Sequence, residues 1–261
     1  MELDDAYANG AYIEGAADYP PRWMASAEDF RNSLHDRARL DIPYGAGTRH
    51  RYDLFLPESA PLGVLVFVHG GYWLNFDKST WSHLAVGALA RGWAVAMPSY
   101  DLCPAVTIAD ITQQVAQAVQ AIAGEVDGPI ALAGHSAGGH LVARMLDKAV
   151  LPAEVGKRIR TVVPISPLSD LRPLLRTSMN QKFNMTAEDA AAESPVEMQN
   201  RYDADVTVWV GGAERPAFLD QAIWLVEAWD ADHVIAFEKH HFNVIEPLAD
   251  PESDLVAVLT A

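Results

Sequence analysis

The chain has 261 residues, and half of them are hydrophobic, so it is long enough to bury a sizeable core. Its 35 acidic and 19 basic residues give a formal net charge of −16, and such a surface repels both nucleic acid and acidic membranes. The single cysteine, Cys103, excludes an internal disulfide and any metal site built from several cysteines.

At the start of the chain, the first five residues read Met-Glu-Leu-Asp-Asp. A secretory signal would have basic residues followed by an apolar run at this place. Farther along, no apolar stretch approaches the roughly 18 residues needed to cross a bilayer. We therefore expect a cytoplasmic protein with no membrane partner. The composition leaves open whether it forms a homo-oligomer.

Segments with strand and helix character alternate along most of the chain. Residues 51–56 alternate in polarity, as a half-buried strand does, and residues 64–68 are continuously apolar, as a strand covered on both faces is. Further runs of strand character are residues 94–97, 130–133, 162–165, 206–210 and 234–237. Helical patterns occupy residues 80–91, 107–122, 137–148, 216–230 and 252–259, and a Thr-x-x-Asp capping pattern opens the second of them.

This alternation predicts one α/β domain. Strands that alternate with helices pair in parallel through βαβ crossovers, so we expect a mostly parallel central sheet with helices on both faces. Two regions lie outside the alternation. Residues 1–36 form an N-terminal extension, and residues 168–203 form an insertion between two strands. A connection of that length is typical of a lid or a pocket wall.

Residues 134–138 read Gly-His-Ser-Ala-Gly and lie between a predicted strand and a predicted helix. This is the context of a nucleophile elbow, the tight strand-to-helix turn of the α/β-hydrolase fold. The turn leaves no room for side chains two positions before and after the serine. The helix N-terminus next to the serine favours developing negative charge. The pattern therefore predicts that Ser136 is the nucleophile of a serine hydrolase.

Residues 69–73 read His-Gly-Gly-Tyr-Trp and directly follow an earlier strand. In this fold the loop after that strand donates one N–H group to the oxyanion hole, and the residue after the nucleophile donates the other. The second donor is then Ala137. Gly71 is the first choice for the donor in the loop, followed by Gly70 and Tyr72.

The acid of a catalytic triad follows the serine and precedes the histidine in this fold. Glu214 meets this condition, because it comes just after the end of the predicted strand 206–210. The other nearby carboxylates lie inside the next helix or before the strand; they are Asp220, Glu227, Asp203 and Asp205.

Two adjacent histidines, His240 and His241, lie in the loop after the last predicted strand, where the catalytic base belongs. Neighbouring side chains of an extended segment point in opposite directions, so only one of them can face Ser136, and the pattern does not decide which. No metal or cofactor is expected, since a His-His pair without a third ligand is a poor zinc site. The remaining histidines considered are His69, a candidate anchor of its loop, His140 inside a helix, and His233 at the start of a strand.

Eight blocks of sequence together resemble a known family. They are residues 69–73, 134–138, 170–171, 177–180, 185–190, 194–195, 214–221 and 241–246. In this order they resemble the kynurenine formamidases, the arylformamidases of tryptophan breakdown. The resemblance implies that Ser136 is the nucleophile and His241 is the base. It implies that Glu214 is the acid, at a position where the family commonly has aspartate.

The resemblance also implies a small-molecule substrate, N-formylkynurenine, which would be cleaved to kynurenine and formate. Trp73, Tyr72 and Phe183 are the candidates for an aryl-binding pocket. One alternative is a carboxylesterase that acts on short-chain esters. Another is a non-catalytic binding protein on a hydrolase scaffold, which is disfavoured because such proteins usually lose a member of the triad.

Overall fold

An eight-stranded sheet forms the centre of the molecule, in a computed structural model that describes residues 1–261. The strands are β1 (Ala38–Pro43), β2 (Arg51–Phe55), β3 (Val64–Val68), β4 (Ala94–Pro98), β5 (Ile130–His135), β6 (Ile159–Ile165), β7 (Asp205–Gly211) and β8 (Asp232–Ala236). Their order in the sheet is β1-β2-β4-β3-β5-β6-β7-β8. Only β2 pairs antiparallel with its neighbours β1 and β4, so the predicted, mostly parallel sheet is confirmed.

Helices cover both faces of this sheet. They are α1 (Tyr19–Leu34), α2 (Val86–Ala90), α3 (Ile108–Glu125), α4 (Ala137–Arg144), α5 (Ala153–Gly156), α6 (Asn180–Phe183), α7 (Ala187–Ala192), α8 (Pro216–Trp229) and α9 (Asp254–Leu259). Side chains of β3 alternate between two apolar cores: Val66 belongs to the core that includes residues of α3 and α8, and Phe67 belongs to the core that includes residues of α1, α2 and α9. This alternation follows from the two-residue period of a strand.

The structure departs from the predicted elements most clearly at the sheet edge and in residues 80–91. Strand β1 was not predicted, because it lies at the edge of the sheet and has no apolar alternation: Leu40 is 46 % exposed. The helical pattern of residues 80–91 begins as 3₁₀ turns, and only Val86–Ala90 is α-helical. The strong capping pattern at Thr107, by contrast, forms a complete capping box with Asp110 at the start of α3.

The N-terminal region lies beside the carboxyl ends of the strands. Helix α1 buries Trp23, Ala27 and Leu34, and the preceding residues form short turns. Residues 168–203 connect β6 to β7 and contain α6 and α7. No helix combines the length and the apolar character required to cross a membrane.

Candidate active site

The turn between β5 and α4 holds Ser136 in an unusual backbone conformation. Its φ and ψ angles are 57° and −116°, a combination that a residue with a side chain rarely adopts. The amide of Ser136 donates a 2.8 Å hydrogen bond to the carbonyl of Ile165 on β6, which helps to hold the turn. Backbone strain of this kind persists only where the surrounding structure enforces it, as at active sites.

The two glycines that flank this turn are required by close backbone contacts. A Cβ atom on Gly134 would lie 2.1 Å from the carbonyl oxygen of Gly138. A Cβ atom on Gly138 would lie 2.0 Å from the carbonyl oxygen of Val68 at the end of β3. The spacing of the Gly-His-Ser-Ala-Gly motif is therefore a steric consequence of packing α4 against β3 and β5.

The loop after β3 lies directly against this turn. A Cβ atom on Gly70 would be 3.1 Å from the Cβ atom of Ser136, and Gly71 has a φ of +105° that favours glycine. The amides of Gly70, Gly71 and Tyr72 donate no hydrogen bond within the protein. The amide of Ala137 is the first of α4 and has no intrahelical acceptor. These N–H groups are thus available to hold an oxyanion.

His69 fixes this loop in place. Its ring stacks on Tyr100 with centroids 4.3 Å apart, and Nδ1 donates a 2.8 Å hydrogen bond to the carbonyl of Gly70. The Tyr100 hydroxyl donates to the carbonyl of His69 at 2.8 Å. Burial lowers the pKa of His69 to about 4, so the ring is neutral at pH 7. His69 is therefore a positioning residue for the loop.

A buried acid–base pair forms the second part of the site. Nδ1 of His241 donates to Oε2 of Glu214 at 2.6 Å, and both side chains are at most 8 % exposed. The other carboxylate oxygen, Oε1, accepts hydrogen bonds from the Ser166 hydroxyl and from the amide of Gly211. With the proton on Nδ1, Nε2 of His241 is free to accept a proton from a nucleophile.

His240, the residue before His241, makes its hydrogen bonds away from Glu214. The amide of Phe242 donates to Nδ1 of His240 at 3.1 Å, and Nε2 of His240 lies 3.1 Å from the Tyr19 hydroxyl on α1. Burial lowers the pKa of His240. His140 is buried in α4 with Nε2 bonded to the carbonyl of Glu193, and burial lowers its pKa to about 3. Of these histidines, only His241 contacts the Glu214 carboxylate.

Ser136 and His241 share one cavity of about 280 Å³, which lies near the lower limit for small-molecule sites. One wall consists of aromatic rings: Trp23 packs on Trp81 with centroids 4.7 Å apart and on Phe242 at 5.5 Å. The full lining is Tyr7, Ala8, Asn9, Gly10, Pro20, Trp23, Gly71, Tyr72, Asn75, Phe76, Trp81, His135, Ser136, His241 and Phe242. It contains no lysine, arginine, aspartate or glutamate.

This geometry agrees with comparisons with known proteins. Residues 65–231 match the family model for the alpha/beta hydrolase fold, so the chain belongs to that family. Kynurenine formamidase of Danio rerio is 29 % identical over 92 % of each chain. Kynurenine formamidase of Drosophila melanogaster is 32 % identical over 82 % of this chain and 78 % of its own. The chain is a kynurenine formamidase-like α/β-hydrolase.

Solved structures show the same fold. A crystal structure of a candidate thioesterase from Silicibacter sp. is 83 % identical, covers 100 % of both chains and has a TM-score of 1.00. An esterase from Pyrobaculum calidifontis is 18 % identical, covers 92 % of each chain and has a TM-score of 0.71. At that identity the second comparison supports the fold alone.

The structure corrects part of the predicted aryl pocket of this hydrolase. Trp73 is fully buried, with its ring 5.1 Å from that of His140 and 5.6 Å from that of Phe183. Neither Trp73 nor Phe183 lines the catalytic cavity, so both belong to the core beside α4. Tyr72 does line the cavity, and its hydroxyl donates to the carbonyl of Tyr7 at 2.7 Å.

Other residues of the site were missed by sequence reasoning. Trp23, Trp81 and Phe242 form the aromatic wall, although they are far apart in the chain and share no motif. Ser166 was also missed, because nothing in the residues around it marks a hydroxyl that bonds to the acid. His135 was visible inside the elbow motif: it lines the cavity with its ring 4.6 Å from that of His241, and burial lowers its pKa.

Replacing Glu214 by glutamine should strongly reduce the turnover of any substrate. The amide keeps the shape of the side chain, but it carries no charge to stabilise the His241 imidazolium, and it can impose the wrong tautomer. We expect kcat to fall by about 10³- to 10⁴-fold, as for the acid of other triads. The matched control is Asp220→Asn on α8, which should change kcat less than about twofold. Near-wild-type activity of Glu214→Gln would show that another group supplies the acid.

Proposed function

We propose that this hydrolase cleaves a small aryl formamide, N-formylkynurenine, and releases kynurenine and formate. The observation that carries this proposal is the cavity in which the Ser136 and His241 side chains meet a wall of aromatic rings. A single aryl ring can pack edge-to-face or offset against Trp23, Trp81 and Phe242. Similarity to kynurenine formamidases over most of the chain supports the same substrate.

The reaction begins with attack of the Ser136 Oγ on the formyl carbon, while the hydroxyl proton passes to Nε2 of His241. The carbonyl oxygen becomes an oxyanion, which the amides of Gly71 and Ala137 stabilise. His241 then gives its proton to the aniline nitrogen as the C–N bond breaks. Kynurenine leaves, and the formyl group remains on Ser136 as an ester.

Water completes the cycle. His241 accepts a proton from a water molecule as that molecule attacks the formyl ester, and it returns the proton to the serine oxygen as formate leaves. Glu214 keeps its hydrogen bond with Nδ1 of His241 and stabilises the imidazolium in both steps. His241 accepts or donates the proton in every step of this reaction. The proposed binding partner is this small-molecule substrate. The cytoplasmic location remains a prediction from the sequence.

A second candidate function is the hydrolysis of short-chain esters or thioesters. The observation that favours it is the 83 % identity to a protein described as a candidate thioesterase. Such substrates require space for an acyl chain beside Ser136, whereas a formyl group has only hydrogen on its carbonyl carbon. The two candidates therefore differ in the acyl group that the cavity accepts.

A series of aryl substrates that differ only in the acyl group separates the candidates. We expect kcat/KM to fall by roughly tenfold at each step from formyl to acetyl to butyryl, because groups that do not fit introduce strain of about 1–3 kcal/mol. The series is measured with anilides, nitrophenyl esters and phenyl thioesters. The anilides depend most on His241, since an arylamine requires a proton in order to leave. Highest activity on butyryl esters, with no cleavage of formylated arylamines, would favour the carboxylesterase.

A further inference from the structure

The N-terminal segment forms one side of the catalytic cavity. Tyr7 is 4 % exposed, and it is fixed at both ends: its carbonyl accepts from the Tyr72 hydroxyl at 2.7 Å, and its hydroxyl accepts from Nε2 of Gln221 at 3.0 Å. Outside the cavity, Arg215 pairs with Asp5 at 2.9 Å. These contacts place residues 7–10 against the space in which the substrate of the proposed function is bound.

Within this segment, Asn9 has an unusual environment. Asn9 is 6 % exposed, and neither Nδ2 nor Oδ1 of its side chain has a hydrogen-bond partner in the protein. A buried carboxamide without partners destabilises the folded state, so nearly all such groups in proteins are paired. Asn9 also lines the catalytic cavity, but Nδ2 and Oδ1 are themselves shielded from it, so the side chain must rotate before a bound molecule can supply the missing donor and acceptor.

The absence of charged side chains from the cavity lining restricts which molecules can bind beside Asn9. No ionised lysine, arginine, aspartate or glutamate lines it, so it offers no countercharge to a net ion, which is costly to bury unpaired. A carboxamide presents a donor group, Nδ2, and an acceptor, Oδ1, side by side. This pair fits a group that is neutral overall and both accepts and donates, such as the carboxylate and ammonium of a zwitterionic amino acid.

We propose that Asn9 is a specificity residue that binds the α-amino-acid group of the substrate, at a distance from the reacting formamide. Nδ2 donates to the carboxylate and Oδ1 accepts from the ammonium, after a rotation of the side chain toward the cavity. This assignment rests on the proposed function, because N-formylkynurenine carries such a group. In this assignment the substrate's ring packs against the aromatic wall, its formyl carbon lies at Ser136, and its amino-acid group binds to Asn9.

The test compares substrates and ligands with and without the amino-acid group. The kinetic pair is N-formylkynurenine and formanilide, and the binding pair is L-kynurenine and 2-aminoacetophenone, measured by calorimetry. The variants are Asn9→Leu, which removes both polar atoms, and Asn9→Asp, which keeps the size of the side chain but loses the donor. Asn200→Leu is the control, because Asn200 is exposed and lies outside the cavity.

For Asn9→Leu we expect kcat/KM on N-formylkynurenine to fall by about 10- to 100-fold, mainly through KM. The value on formanilide should stay within about twofold. Asn9→Asp should show the same selective loss. The melting temperature of Asn9→Leu should equal or exceed that of the wild type, because an unsatisfied polar group is removed. A purely structural asparagine would instead lower it and weaken both substrates equally.

Equal losses on both substrates, or no loss on N-formylkynurenine, would overturn this role of Asn9. Failure of the proposed function has a different signature: the wild type would cleave formanilide or esters but not N-formylkynurenine. In that case the binding pair tests the role of Asn9. A wild-type preference for L-kynurenine over 2-aminoacetophenone that Asn9→Leu abolishes would support the assignment, and no preference in the wild type would overturn it.

Discussion

Replacing Ser136 by alanine is expected to reduce kcat by about 10⁵- to 10⁶-fold on formamides and esters alike, as in other enzymes that lose the nucleophile of a triad. The hydroxyl is the only part of the side chain that is removed. The strained turn depends on backbone contacts of Gly134 and Gly138, which the substitution leaves in place. The variant should therefore keep its fold and melting temperature while losing turnover.

The measurement combines steady-state rates with labelling by an aryl phosphonate, located by peptide mass spectrometry. Ser33→Ala is the control, since Ser33 is exposed on α1 and should leave both rate and labelling unchanged. The label should appear on Ser136 in the wild type and be lost in Ser136→Ala. A label on another serine, or substantial turnover by the variant, would show that the nucleophile was assigned incorrectly.

Replacing His241 by alanine is expected to cost on the order of 10³-fold or more in kcat, because the serine then has no base and the leaving amine has no acid. His240→Ala is the matched control, one residue away in the same loop. Its ring contacts Tyr19 and the backbone of Phe242, so its removal should cost less than about tenfold, through loosening of the loop.

The measurement is kcat of both variants on one ester and one anilide. The ratio of the loss in His241→Ala to the loss in His240→Ala shows which histidine is the base. The loss in His241→Ala should be larger on the anilide than on a nitrophenyl ester, because nitrophenolate leaves without a proton. Equal losses in His240→Ala and His241→Ala, or the reverse order, would contradict the assignment of His241 as the base.

The sequence predicted most of the fold because buried parallel strands have an unmistakable composition. Strand β3 was placed to the residue, since its five residues are all apolar and covered on both faces. Strand β1 was missed because an exposed edge strand needs only backbone pairing, which any residue can provide. The predicted helix of residues 137–148 ends at Arg144 in the structure, and boundaries of this kind depend on tertiary contacts that periodicity does not report.

The site was predictable where local geometry fixes the residue type. The elbow requires Gly134 and Gly138 for steric reasons, so its motif is readable from sequence alone. The choice between His240 and His241 was not readable from the residue pattern, because it depends on Tyr19, a residue 221 positions away in the chain. Only the family resemblance selected His241, and the structure places that residue against Glu214.

The substrate pocket was predicted least well, for a physical reason. Trp73 is the last residue of the motif in the oxyanion loop, but its ring is buried in the core and does not line the cavity. The aromatic wall is instead assembled from Trp23 on α1 and from Trp81 and Phe242. An N-terminal extension without a motif gives no sign in the sequence that it borders an active site.

Titrating Ser136 with a phosphonate while following N-formylkynurenine hydrolysis shows whether Ser136 is the group that attacks the aryl formamide. The fraction of labelled Ser136 is read by mass spectrometry, and kynurenine release is read by absorbance in the same samples. We expect the rate to fall in direct proportion to the labelled fraction and to reach zero when all of Ser136 is labelled. No kynurenine release by the unlabelled protein, or release that continues after complete labelling, would contradict it.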